Sequence, residues 1–297
     1  MIDDTELERM AATLEASGQF RVLRRLMPRV WSDKQPGQET RIALFVDVET
    51  TGLDPANDEI IELALVPFTY CLDGSIVGVG EGLNQFRQPK KAIPEEIMAL
   101  TGITPAMVQG QTIDANAVEK LLSQASLVVA HNAAFDRRFA ERLVPAFTDM
   151  PWACSMTEIE WGKEGFEGIK LAYLANAHGY FYDRHRASHD CAAAIELLGC
   201  TLPRSGTLAM KQLLTHARED SFRIWAENSP FEAKDALKAR GYKWNGEHNG
   251  RPRSWYVDIS AREREEELTF LSTQIYKRAV EPKVVRVTAY ERYSDRI

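Results

Sequence analysis

Apolar residues in the first 200 positions fall into short runs that alternate with polar turns. Residues 42–46 and 127–130 are continuous apolar runs, and each predicts a buried strand. After position 131, and again over residues 191–198, the apolar positions change to helical spacing. Strands alternating with helices are typical of an α/β domain.

The first of these strands ends in two acidic residues, Asp47 and Glu49, which a turn through Gly52 follows. Residues two apart on a strand point to one face, so both carboxylates project together while Val48 faces the core. This is half of a divalent-metal site. Taken alone the pair is weak evidence, because two acids beside a turn are more often a solvated strand end.

Two further acids occur where the pattern changes from strand to helix. Asp136 falls in the first turns of a helix at the edge of the sheet where open α/β folds place their ligands. Asp190 opens the helical stretch 191–198, and His185 precedes it by five residues. Four acids and a His in this order are far more specific together than any one of them.

This order of motifs resembles the DEDD exonuclease superfamily, which includes the proofreading subunit of bacterial replicative polymerases, RNase T and oligoribonuclease. The resemblance covers roughly residues 40–200. A His five residues before the last Asp makes the chain resemble the DEDDh, or DnaQ-like, branch. The resemblance implies an RNase H-like α/β domain with a five-stranded mixed sheet flanked by helices. Its first three strands, at about residues 41–48, 59–70 and 74–87, are expected to be antiparallel neighbours.

The resemblance also assigns the metal-binding acids, which are Asp47, Glu49, Asp136 and Asp190. Carboxylate oxygens suit Mg²⁺ or Mn²⁺, and a ligand set without Cys argues against zinc. Two such ions roughly 3.5 to 4 Å apart can activate the attacking water and stabilise the leaving 3′ oxygen. Asp47 would bridge the two ions. Glu49 and Asp190 would complete the shell of the first ion, and Asp136 would hold the second directly or through water.

His185 is the predicted general base, which takes the proton from the nucleophilic water. Such a base typically contributes ~10²–10⁴-fold in rate, and histidine can be neutral, and so competent, at physiological pH. His189 is the competing candidate because it adjoins Asp190. One position before the acid on a helix it would point about 100° away, whereas His185 lies in the preceding loop and can fold over the metals.

Substrate contacts are predicted from the same segments. The turn after Glu49 leaves backbone N–H groups free for a terminal nucleotide, and Gly52 permits that turn. The resemblance implies that Leu53 packs against the terminal base. The predicted substrate-binding residues are Thr50, Gly52, Leu53, His131, Asn132 and Phe135. For Leu53 and Phe135 ordinary core packing is the alternative interpretation.

The last hundred residues differ in charge from the rest. Residues 1–200 hold 18 basic and 29 acidic residues, whereas residues 201–297 hold 18 basic and 14 acidic residues. Residues 238–256 interleave five Lys or Arg with four aromatics, a combination that grips single strands by neutralising phosphates and stacking on bases. The predicted nucleic-acid contacts are Lys243, Trp244, Arg251, Arg253 and Trp255. Because a small module needs large apolar residues, a core role for its aromatics is the alternative.

Strand, helix and turn patterns in this tail predict a small βαββ module. Residues 221–226 alternate like a strand, and residues 230–240 have Ser229 as an N-cap and Gly241 just after the end of the helix. The module resembles one appended to some bacterial DnaQ-like exonucleases and, more distantly, the HARP domain. The predicted organisation is an N-terminal helical extension (1–38), a DEDDh exonuclease domain (39–200), a linker (201–220) and the basic, aromatic module (221–297).

Composition indicates a cytoplasmic protein of this type. There is no basic start followed by an apolar run and no stretch of 18 apolar residues, so neither export nor membrane insertion is expected. The four Cys lack a CxxC pair and are predicted to be reduced thiols. A homo-oligomer is compatible with the sequence.

The predicted activity is metal-dependent 3′→5′ exonuclease action that releases nucleoside 5′-monophosphates, with two Mg²⁺ or Mn²⁺ ions as cofactors. The predicted partner is nucleic acid, as single-stranded DNA or 3′ ends, with DNA favoured and RNA open, since discrimination depends on contacts to the 2′-OH. The sequence leaves open two alternatives to this activity. One is an oligoribonuclease-like hydrolase of short RNA, and the other is a catalytically silent nucleic-acid-binding adaptor.

Overall fold

The computed structural model describes residues 3–27, 38–246 and 250–297. The chain forms two compact units that divide between Leu214 and Thr215. This division falls inside the segment 201–220, for which a linker is predicted.

The strands of the first unit are β1 (Arg24–Arg25), β2 (Thr40–Thr50), β3 (Ile60–Cys71), β4 (Ile76–Val79), β5 (Leu83–Phe86), β6 (Leu127–Ala130), β7 (Trp152–Cys154) and β8 (Tyr180–Phe181). Its helices are α1 (Asp4–Ala16), α2 (Glu95–Thr101), α3 (Pro105–Val108), α4 (Ala115–Leu122), α5 (Ala133–Leu143), α6 (Leu171–Ala177) and α7 (Ala187–Leu198). Helix α8 (Ala209–Arg218) runs across the division between the units.

The main sheet has the order β4-β3-β2-β6-β7, with β5 also paired to β3. Strand β2 is antiparallel to β3 and parallel to β6, so the mixed sheet expected from the sequence is confirmed. One detail differs, because the third predicted strand (74–87) is broken into β4 and β5, which both pair with β3. At Gly82 a Cβ would lie only 2.8 Å from the carbonyl oxygen of Leu65, so the chain passes β3 too closely there for a side chain.

The core of this unit lies around β2. Leu44, Phe45 and Val46 are fully buried, as the continuous apolar run predicts for a strand covered on both faces. Helices α5 and α7 both pack against β2. The two helices that begin near Asp136 and Asp190 are therefore anchored on the strand that carries Asp47 and Glu49.

The N-terminal extension contributes α1 and β1. Strand β1 pairs in parallel with β8, and Arg24 forms ion pairs with Glu8 and Glu15 of α1. Residues 28–37 of the predicted extension lie outside the described residues.

The second unit consists of β9 (Ser221–Ala226), α9 (Lys234–Ala239), β10 (Lys243–Trp244), β11 (Trp255–Ser260), α10 (Arg264–Phe270), a π-helical turn (Leu271–Ile275) and β12 (Lys283–Val287). Its sheet has the order β10-β11-β9-β12. The predicted βαββ pattern is present, and it is extended by a second helix and a fourth strand. A core that includes Ile224, Leu237 and Tyr242 joins the helices to the sheet.

Across the described ranges, no helix combines the length and the apolar character needed to cross a membrane.

Candidate metal centre

The site begins at the C-terminal end of β2. Asp47 and Glu49 lie on the same face of the strand, and Val48 between them is only 5% exposed. The register of β2 with β3 shifts between Glu49 and Thr50, so the ladder is irregular immediately after the second acid. The strand therefore presents both carboxylates where its regular pairing ends.

Three of the four predicted acids meet at this point. One carboxylate oxygen from each of Asp47, Glu49 and Asp190 lies within 4.8 Å of the others. Asp190 reaches the strand from the first turn of α7. All the donors are oxygens, which suits a hard divalent cation such as Mg²⁺ or Mn²⁺. The residues present therefore fit a divalent metal ion.

Asp136 is fixed beside this group by a backbone hydrogen bond. The N–H of Val48 donates to Asp136 Oδ1 at 3.1 Å, and the Asp136 side chain is buried in the first turn of α5. The bond ties the start of α5 to the residue between Asp47 and Glu49.

Burial and mutual repulsion make these acids hard to ionise. Burial, followed by the charges of Asp136, Asp190 and Glu49, holds the pKa of Asp47 well above its usual range. Burial and then the charge of Asp190 raise the pKa of Glu49 to about 8. Burial raises the pKa of Asp136 to about 8, although the bond from Val48 opposes it. Because crowded carboxylates are relieved by cations, the electrostatics agree with a metal centre.

The loop before α7 carries His185. His185 has a left-handed backbone, with φ of 61°, directly before Arg186. Two donors fix Asp190 beside this loop: the hydroxyl of Tyr182, 2.8 Å from Asp190 Oδ1, and the N–H of Arg186, 3.2 Å from Oδ2. His189 is exposed on α7, and its Nδ1 lies 3.1 Å from the carbonyl oxygen of Asp183. This arrangement favours His185 as the base, which stays a prediction.

Sequence reasoning missed Glu62, which faces Glu49 directly across β2 and β3. Its carboxylate is fully buried and accepts hydrogen bonds from Asn84 Nδ2 (3.0 Å), Arg186 Nη2 (3.1 Å) and Nε (3.3 Å), and the N–H of Ala187 (3.2 Å). Glu62 therefore ties β3 to the loop and helix that carry His185 and Asp190. The signal in the sequence was a charged residue inside the apolar run 60–66.

The loop after β2 is shaped by Asp58. Its carboxylate accepts from the Thr51 hydroxyl and from the N–H of Asp54, and a Cβ at Gly52 would lie 2.4 Å from Asp58 Oδ2. A side chain at position 52 would therefore displace the Asp58 carboxylate from these bonds. In the described structure the N–H groups of Gly52 and Leu53 have no protein acceptor.

Leu53 and Thr50, two other predicted substrate residues, lie in the same loop. The Leu53 side chain is 83% exposed, which argues against core packing for it. The Thr50 side chain is buried, and its hydroxyl donates to the Gly52 carbonyl at 2.6 Å.

The predicted substrate contacts around α5 differ from one another in exposure and in their protein partners. His131 has Nδ1 2.9 Å from the Ser155 hydroxyl and Nε2 2.9 Å from the Ile169 carbonyl, so both ring nitrogens have protein partners. Burial lowers the pKa of His131 to about 4. Asn132 is exposed, with φ of 83°, and the half-buried Phe135 packs on Phe139 with ring centroids 4.9 Å apart.

The predicted contacts in the second unit do not share one surface. Trp244 is 53% exposed and lies opposite Trp255 in register, with ring centroids 5.6 Å apart. Trp255 also packs against the core. Lys243 is adjacent on β10, so its side chain projects to the other face. Arg251 donates to the Asp295 carbonyl, and Arg253 also has a partner within the protein.

The carboxylate cluster at the end of the central strand of this mixed sheet is a candidate divalent-metal site in an α/β domain. Residues 44–198, slightly more than half of the chain, match a protein family described as Exonuclease. The chain belongs to this exonuclease family, as the motif order indicates.

Curated relatives agree with this assignment. DNA polymerase III PolC-type of Clostridium perfringens is 33% identical over 164 residues, which cover 51% of this chain and 10% of the relative. The 3′-5′ exonuclease DinG of Bacillus subtilis is 35% identical over 155 residues, which cover 50% of this chain and 16% of the relative. The chain thus spans only a small part of the length of these relatives.

A solved structure shows the same fold. E. coli Exonuclease I in complex with a dA16 oligonucleotide superimposes with a TM-score of 0.52 and 15% identity, covering 78% of this chain and 68% of that chain. The predicted RNase H-like fold class is confirmed.

Proposed function

We propose that this chain is a metal-dependent 3′→5′ exonuclease that releases nucleoside 5′-monophosphates from the 3′ end of DNA. The observation that carries the proposal is the meeting of Asp47, Glu49 and Asp190 within 4.8 Å, inside the region that matches the exonuclease family. A silent adaptor would have no need to keep three repelling acids together.

The chain's own groups have distinct parts in this reaction. Two divalent cations, when bound, supply the positive charge that a phosphodiester needs as hydroxide attacks it. Asp47, Glu49 and Asp190 would hold the first, and Asp136 would hold the second directly or through water. His185 takes the proton from the attacking water.

The loop after β2 would hold the 3′-terminal nucleotide. The N–H groups of Gly52 and Leu53 can donate to its sugar or phosphate, and the exposed Leu53 side chain can pack against its base. DNA is proposed over RNA because a relative at 33% identity is a DNA polymerase by name.

The test is a gel assay with 5′-labelled single-stranded DNA, duplex DNA and single-stranded RNA, each with Mg²⁺, Mn²⁺ or EDTA. The wild type should give a metal-dependent ladder of 3′-shortened products. Asp190→Asn keeps the shape but removes a ligand charge, and should lower the rate by about 10³-fold or more, since metal coordination stabilises the transition state by several kcal/mol. Glu119→Gln, which changes an exposed acid on α4, is the control.

The same assay separates the alternatives. Uncut label in every lane, with hydrolysis only of a short RNA oligonucleotide added as a fourth substrate, would indicate an oligoribonuclease-like enzyme. Label that is bound but never cut would indicate the adaptor. His185→Asn should reduce turnover by ~10²–10⁴-fold and His189→Asn should not, if His185 is the base.

A further inference from the structure

Three aromatic and two lysine side chains form a run of neighbours on the second unit. Lys234 Nζ is 4.8 Å from the centroid of the Phe231 ring, and Lys238 Nζ is 5.9 Å from the Trp255 ring. The ring of Trp244 lies 5.6 Å beyond Trp255. Lys234 and Lys238 are four residues apart, on one face of α9. We call these five residues the aromatic–lysine stripe.

Two aromatic residues of the stripe are unusually open to solvent. Phe231 is 77% exposed and Trp244 is 53% exposed, whereas Trp225 and Tyr242 of the same unit are almost fully buried. Grouped exposed apolar residues mark a binding surface more often than isolated ones do, and Trp244 lies beside Trp255, which the Lys238 ammonium also approaches. The core of this unit does not require Phe231 or Trp244, since neither belongs to it.

The lysines of the stripe differ from the arginines of the unit in their partners. Arg223 pairs with Asp258, and Arg240 pairs with Glu266 and Glu267. Over the described parts of the chain, neither Lys234 nor Lys238 forms an ion pair, and both ammonium groups remain available to an anion.

We infer that the aromatic–lysine stripe binds single-stranded nucleic acid. Unstacked bases supply flat π faces for Phe231 and Trp244, and the linking phosphates supply the anions for the lysines. A duplex keeps its bases stacked and cannot offer those faces. This inference rests on the proposed function, because it assigns the stripe to the strand that the first unit degrades.

Acidic neighbours of the two lysines limit how strongly electrostatic attraction contributes to nucleic-acid affinity. Glu232 and Asp235 are exposed in the same segment, and Asp235 lies about 100° around the helix from Lys234. Stacking is therefore the main source of affinity, and the salt dependence should be shallow.

The experiment measures binding of labelled oligothymidylate to the full chain by fluorescence anisotropy in EDTA, and hydrolysis of a dinucleotide with Mn²⁺. Trp244→Ala should weaken binding by about 5- to 100-fold, the range for loss of one stacked base, and Trp244→Phe should restore most of it. The double variant K234Q/K238Q should reduce the slope of log K against log[salt] by about 1.4. Dinucleotide hydrolysis should be unchanged in all three variants.

Lys283→Gln, which removes an exposed cation from β12, is the matched control and should bind like the wild type. Equal binding by the wild type and Trp244→Ala would overturn the inference, and so would an equal loss in Lys283→Gln. Duplex binding with the same sensitivity to Trp244→Ala would also overturn it, as would a wild type that binds no oligonucleotide. Because binding is read without turnover, absent hydrolysis with intact Trp244-dependent binding would count against the exonuclease proposal alone.

Discussion

At the scale of single residues, the site brings together carboxyl groups that burial makes hard to ionise. Burial holds the pKa of Asp190 above its usual range, even though Tyr182 and the Arg186 N–H donate to its carboxylate. The hydrogen bonds fix the position of the carboxylate, while burial opposes its ionisation. A cation is the partner that can satisfy the charge without moving the ligand.

Glu62 differs from the predicted metal-binding acids, because the Arg186 guanidinium already balances its charge. The ion pair is buried on the Glu62 side and joins β3 to the residue that follows His185. Arg186 also lies over the Phe86 ring, 5.5 Å from its centroid, so the guanidinium is held by β3 and β5 together. We therefore expect Glu62 to act as a positioning residue for the base.

Glu62→Gln should lower kcat by about 10- to 100-fold with little change in KM, because misplacing a catalytic group costs rate more than substrate binding. The amide carries no charge and offers Arg186 one acceptor oxygen instead of two, although its shape is the same. The measurement is steady-state hydrolysis of single-stranded DNA, beside thermal unfolding. Glu158→Gln is the control, since Glu158 is also buried and accepts from the Cys154 N–H, away from the His185 loop. A normal kcat in Glu62→Gln, or an equal loss in both variants, would contradict the positioning role.

At the scale of elements, local patterns predicted the parts of the site that one strand or one helix creates. Strand β2 was predicted at about 41–48 and spans Thr40–Thr50, and its period of two placed Asp47 and Glu49 together. Contacts between distant segments leave no such pattern. The ion pair of Glu62 with Arg186 joins residues 124 positions apart, and nothing near either residue indicates the other.

The pairing of β1 with β8 is another contact of this kind, and it lies beside the site. The Leu26 N–H donates to the Phe181 carbonyl at 2.8 Å, and Arg25 forms an ion pair with Asp183. The chain continues from β8 to Tyr182, which holds Asp190. The N-terminal extension therefore supports the segment that carries His185, the proposed base.

Leu26→Pro should loosen that segment, because proline cannot donate the backbone hydrogen bond to Phe181. Losing a bond worth about 1 kcal/mol predicts roughly fivefold faster hydrogen exchange over residues 180–186, and a fall in kcat of similar size. Mass spectrometry of exchanged peptides measures the first effect. Leu26→Ala retains the N–H and is the control. Unchanged exchange in Leu26→Pro would show that β1 does not support the segment.

At the scale of the whole molecule, the chain combines a carboxylate site in the first unit with an aromatic–lysine stripe in the second. Burial raises the pKa of the acids in the carboxylate site. The lysines of the aromatic–lysine stripe have no acidic partners in the described structure. Under the two proposals, the first unit would cut a strand and the second would hold it. Because cutting and holding depend on different ligands, metal and nucleic acid, they can be tested separately.

The carboxylate site should make the stability of the metal-free protein depend on pH. Glu49 and Asp136 have a pKa of about 8 in the folded protein and near 4 when unfolded, so between these values the folded state binds more protons. The stabilisation is fully present below about pH 4 and is lost as pH rises through 8, by up to about 1.4 kcal/mol per pH unit for each proton released.

We expect the melting temperature in EDTA to fall from pH 5 to pH 9. Mn²⁺ binds the ionised carboxylates, so it should raise the melting temperature most at high pH. The double variant D47N/E49Q should flatten the pH dependence and remove the effect of Mn²⁺; a wild type whose melting temperature is insensitive to pH and Mn²⁺ would show that these acids do not form a metal centre.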